Sequence, residues 1–290
     1  MFKLDKNSLI YFSKRDGTKI RFGSKNYTKS STPELVDIKI TDFCTFNCAF
    51  CYQGSTTEGK DASFESIEFI AKELGKAKVF EVALGGGEPT QHANFLKVLH
   101  IFKDNGIIPN YTTKNKFWSA NRWHLLKDLI GAFAFSAEKP IHIRRFAEAN
   151  KNVPKDRVNI HYVMGLQQRE DFVRFLLEAY KQNYRVTLLG YKTVGRGTEI
   201  FPFPYPWWMK TISDLMSMDK CPTISIDTAL AKQYEFELKD ILSTKLFHVD
   251  EGKFSMYVDA VKMKMGASSY EKISEMEPFD KNWIQRYQKL

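Results

Sequence analysis

The chain has 290 residues, of which 43% are hydrophobic, 14% aromatic and 27% charged; these are the proportions of an ordinary globular protein with a sizeable core, and they exclude a disordered chain. The formal net charge is +9, but the lysines are spread along the chain and form no continuous basic tract, so a solvated basic surface is favoured over a phosphate-rich or acidic partner. No apolar stretch approaches the ~20 residues of a membrane span, and Met1 to Asn7 lack the apolar region of a signal peptide; a cytoplasmic protein with no membrane partner is expected.

Leu9 to Phe12 and Lys19 to Phe22 flank Asp16-Gly17 and predict a short antiparallel hairpin. A polar run from Gly23 to Pro33 leads to the first core strand, Leu35 to Thr41. From there strand alternates with helix. Phe64, Ile67, Ile70, Ala71 and Leu74 recur at helical spacing behind a cap at Asp61 or Ser63. Val79 to Leu84 is the second strand, and Phe95, Val98, Leu99 and Phe102 mark the next helix, closed by Asn105-Gly106. Strands Ile107 to Thr113 and Ala132 to Ser136 bracket a helix at Trp123 to Ile130; a helix at Ile141 to Asn150 and strand Val158 to Met164 follow. Phe172, Phe175, Leu176 and Ala179 mark a fifth helix, Arg185 to Leu189 a sixth strand, and Trp208 to Met218 a last helix. Six such units predict an α/β fold with a parallel sheet and right-handed crossovers. The expected division is a hairpin lead-in at 1–33, a core at 34–218 and an appendix at 219–290 packed on it. Within the appendix, β-like runs Thr223 to Ile226 and Phe254 to Val258 surround a helical stretch, Leu230 to Leu242.

Three of the four cysteines, Cys44, Cys48 and Cys51, stand at C-x3-C-x2-C spacing in one loop after the first core strand. Thiolates so close in an intracellular chain point to metal, and soft sulfur selects zinc, copper(I) or iron-sulfur clusters. Three is an informative number, because structural zinc takes four protein ligands and a conventional ferredoxin cluster four cysteines. Three cysteines on a cubane leave one iron open to substrate or cofactor. A second motif, Gly85-Gly86-Gly87-Glu88-Pro89, ends the next apolar run; its glycines let backbone approach a ligand closely. Both motifs fall at the C-terminal ends of strands, where sites on such sheets lie.

Cys44, Cys48 and Cys51, with Phe50 before the last cysteine and the Gly-Gly-Glu motif downstream, resemble the signature of the radical S-adenosylmethionine (radical SAM) superfamily. The resemblance implies a partial (β/α)6 TIM-like barrel whose open side admits a large substrate. It implies a four-iron four-sulfur cluster held by the three cysteines, S-adenosylmethionine on the open iron, and an enzyme that cleaves it reductively to a 5'-deoxyadenosyl radical, which takes hydrogen from substrate. A low-potential electron donor such as flavodoxin or ferredoxin is implied as partner. Gly86, Gly87 and Glu88 match the family's methionine-amine site, Ser136 the ribose or carboxylate site with Glu138 as a second candidate, and Tyr52 a backbone contact to adenine. The substrate is open between peptide or protein and nucleotide or RNA. The competing reading is a non-catalytic iron-sulfur or zinc-binding protein, against which the Gly-Gly-Glu motif argues.

Softer candidates remain. His161 is read as a core histidine before a cavity-facing one, and Tyr191, Lys192 and Arg196 as either an anion-gripping or a solvated loop. Phe201 to Trp208 is read as aromatic packing before a stacking platform, and Cys221 as a packed apolar residue, since one thiol cannot hold an auxiliary cluster.

Overall fold

The computed structural model describes residues 1–23, 27–200, 202–241 and 249–290. It begins with three antiparallel strands, β1 (Phe2–Asp5), β2 (Ser8–Phe12) and β3 (Lys19–Gly23). The hairpin expected from Asp16-Gly17 is β2 with β3, paired Leu9 with Phe22 and Tyr11 with Ile20. The additional strand β1 escapes the pattern because its buried positions are Lys3 and Asp5 while Phe2 and Leu4 lie in solvent, the reverse of a core-facing strand. Asp5 is satisfied there by Tyr27 and Ser31.

The main sheet is built from β4 (Leu35–Thr41), α1 (Phe64–Lys76), β5 (Glu81–Gly86), α2 (Phe95–Asp104), β6 (Ile108–Thr113), α3 (Trp118–Leu126), β7 (Phe133–Ser136), α4 (Pro140–Ala149), β8 (Val158–Val163), α5 (Arg169–Lys181), β9 (Arg185–Leu189) and α6 (Trp208–Ser217). Strands β4 to β9 are parallel and lie in sequence order, the arrangement of a partial (β/α)6 barrel. Each strand alternates. In β4, Val36, Ile38 and Ile40 enter the core against the helices, which leaves Asp37, Lys39 and Thr41 on the inner face. Helix α1 is capped where expected, Ser63 Oγ accepting from the Ser66 N–H at 3.1 Å, and buries Ile67, Ile70, Ala71 and Leu74. Helix α3 starts five residues before the expected Trp123 because its inward contacts come from Trp118 and Ser119, the latter bonded to the Tyr111 hydroxyl at 2.8 Å, and not from an apolar stripe.

The C-terminal residues supply β10 (Ile224–Ile226), α7 (Thr228–Gln233), α8 (Glu235–Ile241), β11 (Ser255–Asp259), β12 (Lys264–Gly266), β13 (Glu277–Pro278) and α9 (Trp283–Tyr287). Strand β10 pairs parallel with β9 and forms one edge of the sheet; β11 pairs parallel with β4 on the other side, where β12 and β13 continue the sheet antiparallel. The helical stretch expected at Leu230 to Leu242 is two short helices broken at Tyr234, and Leu242 itself lies outside the described residues. Among the described residues no helix is long and apolar enough to cross a membrane.

The small sheet β1–β3 plugs the N-terminal end of the barrel. Ile10 and Phe12 bury against Phe80 and Ile108, which stand at the starts of β5 and β6. Phe12 stacks on Phe80 with centroids 5.1 Å apart, and Arg21 grips the buried Glu34 through two bonds of 3.0 and 2.7 Å. What lies between this plug and the far end is polar: Asp37, Asn110, Asn159, His161, Thr187 and Tyr257 sit on the face opposite the helix-packed residues of their strands.

Candidate cofactor site

Residues Asp42 to Gln53 cap the opposite, C-terminal end of the barrel. The loop is pinned by backbone bonds: the Cys44 N–H donates to Thr56 O at 2.9 Å, Cys51 N–H to Cys48 O at 3.2 Å, and Gly54 N–H to Cys51 O at 3.1 Å. Asn47 takes a left-handed φ of 45° to turn the chain between Cys44 and Cys48. Arg196 holds the loop from β9's side, its Nε donating to Cys48 O at 3.1 Å and its Nη1 to Ser55 O at 3.0 Å. That guanidinium therefore braces the loop, a role its sequence context did not announce. Tyr191 likewise turns inward, its hydroxyl donating to Gly197 O at 3.0 Å. All three loop cysteines are free thiols and half-buried. Burial pushes the Cys44 thiol above its usual range.

Beside the loop, β5 delivers the glycines. Gly86 has φ +109°, and a Cβ there would strike the Thr41 carbonyl, while one on Gly87 would strike the Phe43 carbonyl. Gly85, by contrast, faces open space. Glu88 is 2% exposed and accepts four bonds: from Thr90 N–H (3.2 Å), Thr90 Oγ1 (2.6 Å), Thr113 Oγ1 (2.7 Å) and Lys114 N–H (2.8 Å). Burial pushes its pKa up against the pull of those donors. Its carboxylate is thus engaged inside the protein, tying the end of β5 to the end of β6, and the edge left for a ligand is the main chain at Gly85 to Gly87.

Ser136, at the end of β7, opens into a cavity of about 520 Å³ that reaches the cysteine loop at Thr45 and Phe46 and is further lined by Lys114, His142 and Arg145. Glu138 ion-pairs with Lys114, whose Nζ also stands 3.2 Å from Cys48 Sγ. Sequence reasoning did not single out Lys114, Arg145 or His142. Lys114 directly follows a predicted strand at its C-terminal end, so its position carried a signal; Arg145 and His142 lie within α4 and carried none.

Tyr52 points to the barrel interior, where Lys192 Nζ lies 4.5 Å over its ring centroid. Gln53 reaches Tyr257 on β11 at 3.4 Å, and Tyr257 is the register partner of Asp37. The polar lumen thus lies beneath the cysteine loop. The His161 ring faces it, with no side-chain hydrogen bond among the described residues, and enclosure together with Lys192 holds its imidazole down at about 4; the reading of His161 as a satisfied core residue is corrected. The aromatic segment packs as expected, with Trp208 and Tyr205 buried against Tyr234, while Phe201 lies outside the described residues. Cys221 precedes β10, which runs parallel to the barrel strands, so it sits at their N-terminal end, opposite the cysteine loop, against the hydrophobic core.

Asp37 is open to lumen solvent yet surrounded by protein, and this enclosure pushes its carboxyl up to about 6 from an ordinary 3.8. A raised pKa favours the neutral form in the fold, so Asp37's contribution is fully present below pH ~4 and is lost as pH rises through about 6. Taken at face value the charge would cost about 3 kcal/mol at neutral pH; discounted for lumen water, about 1 kcal/mol. Asp37→Asn is therefore expected to raise the unfolding midpoint by roughly 1–2 °C at pH 7.5 and to leave it unchanged at pH 4, as thermal melts at both pH values will show.

Three free thiols on one loop are a donor set that fits a cubane, which binds each thiolate through a different iron. The radical SAM superfamily, whose members use a four-iron four-sulfur cluster and S-adenosylmethionine, has a sequence model that matches residues 38–188. GTP 3',8-cyclase of Pasteurella multocida is 26% identical over 155 residues, 51% of this chain and 41% of that protein. A 7,8-dihydro-6-hydroxymethylpterin dimethyltransferase of Methanocaldococcus jannaschii is 31% identical over 84 residues, 27% of this chain and 16% of that protein. The chain spans less than half the length of these curated relatives. Streptococcus suis SuiB bound to S-adenosylmethionine is similar in fold, with a TM-score of 0.68 at 16% identity over 89% of this chain and 66% of that one. With the family's model covering more than half of its residues, and three free cysteines followed by a Gly-Gly-Glu turn at adjacent strand ends, the chain belongs to the radical SAM superfamily.

Proposed function

We propose that the protein is a radical SAM enzyme in which Cys44, Cys48 and Cys51 hold a four-iron four-sulfur cluster, and that it removes hydrogen from a peptide or protein substrate seated in the lumen. The observation that carries this reading is the adjacency of three free thiols, the open main-chain edge at Gly85 to Gly87 and the cavity at Ser136, all at the C-terminal ends of neighbouring strands. When bound and reduced by a low-potential donor such as flavodoxin or ferredoxin, the cluster supplies the electron that splits S-adenosylmethionine into methionine and a 5'-deoxyadenosyl radical. The chain's own residues bind and orient. Carbonyls along Gly85 to Gly87 accept from the methionine ammonium, Ser136 and Arg145 meet its carboxylate or the ribose, and Tyr52 backs the adenine. Arg196 and Gln91 keep the loop closed over the barrel, Gln91 Nε2 donating to Thr45 Oγ1 at 2.6 Å, so that water is held from the site.

The charges around the lumen support a substrate class. Asp37, Asp227 and Glu251 all act on Lys192, and three carboxylates around one ammonium repel phosphate. This favours a peptide over a nucleotide; that SuiB has been observed with its precursor peptide is in keeping with it. The test is anaerobic reconstitution followed by reduction in the presence of S-adenosylmethionine, with 5'-deoxyadenosine as the product measured; its absence would rule the reading out. Ser136→Ala is expected to weaken S-adenosylmethionine binding about 2- to 13-fold, the loss of one hydrogen bond of ~0.5–1.5 kcal/mol. An unchanged dissociation constant in that variant would move the ribose or carboxylate site elsewhere.

A further inference from the structure

Lys114 is the one ammonium among the described residues that touches a loop cysteine, and it is held there from several sides. Its backbone N–H is fixed by Glu88 Oε2 at 2.8 Å, its Nζ lies 3.2 Å from Cys48 Sγ and 5.5 Å from the Phe50 ring centroid, and Glu138 pairs with it. Both side chains of the pair are about three-quarters buried, at 25% and 24% exposure, so water screens them weakly.

We propose that Lys114 and Glu138 are an opposed charge pair that sets the reduction potential of the cluster, Lys114 raising it through its N–H···S bond to Cys48 and Glu138 holding that rise back. This rests on the reading of Cys48 as a cluster ligand. Reduction adds one electron to a body already carrying thiolate charge. A cation and a hydrogen bond on one of its sulfurs stabilise the reduced form more than the oxidised form, and an anion does the reverse. Glu88 fixes the backbone from which the side chain projects, and Glu138 and the Phe50 ring hold the ammonium beside the sulfur. The Gly-Gly-Glu glutamate thereby acts at a distance from any ligand: it positions Lys114, and Lys114 acts on the sulfur. Glu138 then fixes how much of that positive charge the sulfur experiences.

The experiment is a redox titration of the reconstituted, cluster-loaded protein, followed by electron paramagnetic resonance in the absence of S-adenosylmethionine, so that no turnover enters the readout. Lys114→Met leaves Glu138 unopposed and is expected to shift the midpoint to lower potential. Glu138→Gln frees the ammonium and is expected to shift it to higher potential, and Lys114→Arg, which keeps the charge, is expected to stay near wild type. Midpoints that do not move, or that move in the same direction in the methionine and glutamine variants, overturn the proposal. Should Lys114→Met fail to load a cluster, the direction of the Glu138→Gln shift alone decides it. Iron and cluster signal retained in full by Cys48→Ala would count against the ligand reading, whereas unmoved midpoints with Cys48 required count against the charge pair alone.

Discussion

Alanine at any one of Cys44, Cys48 or Cys51 is expected to abolish 5'-deoxyadenosine formation while the barrel still folds. A cluster would need all three thiolates to be held, so the loss should be complete rather than graded. Stability should hardly change, because the three thiols are half-buried in a loop beyond the strand ends and none belongs to the main core; substitutions at such places usually stay within about 0.5 kcal/mol. Product analysis with reduced protein and circular dichroism on the same samples check the two halves. Normal product from any of the three variants would remove the assignment altogether.

Glu88→Gln should be the most disruptive conservative change in the molecule's upper end. The native carboxylate faces donors on both oxygens. An amide has one oxygen, so whichever way it is turned its NH2 opposes either the Lys114 N–H or the Thr90 and Thr113 donors. At 2% exposure water cannot repair the mismatch, and a buried donor left unsatisfied costs about 1–3 kcal/mol. The unfolding midpoint should fall by roughly 2–5 °C, and binding of S-adenosylmethionine should fail with it, because the β5–β6 junction that presents Gly85 to Gly87 loosens. A variant melting within a degree of wild type would show that the junction is held by something else.

Much of this was legible before the structure. The strands from Leu35 to Leu189 sit within two residues of their expected bounds, because parallel strands buried under helices read as short apolar runs between turn residues. The cysteine loop and the glycine turn are local motifs, and the sequence carries them whole. What was hidden depends on tertiary context. Strand β1 points its apolar side chains outward; Arg196 meets the cysteine loop only where distant segments come together; and the four donors around Glu88 come from residues whose convergence no local pattern announces. Strands β10 and β11, which flank the six barrel strands, were visible as β-like runs, but nothing local reveals which strand each will join.

The place of β11 governs how the molecule can be assembled. Strand β4 carries the cysteine loop at its end, and its outer edge is covered by residues 255–259, which pair with it in register from Ser255 against Leu35 to Asp259 against Lys39. During synthesis that edge stays bare until residues 255–259, more than 200 positions further on, have emerged, with its N–H and C=O groups open to another strand. Pairings between such distant segments form late and slowly, so the oxygen-sensitive thiols wait on an unfinished scaffold. Recovery of active protein will accordingly be set by how crowded and how oxidising the surroundings are in that interval, and slower expression under reducing conditions should raise the yield more than any change in the finished fold.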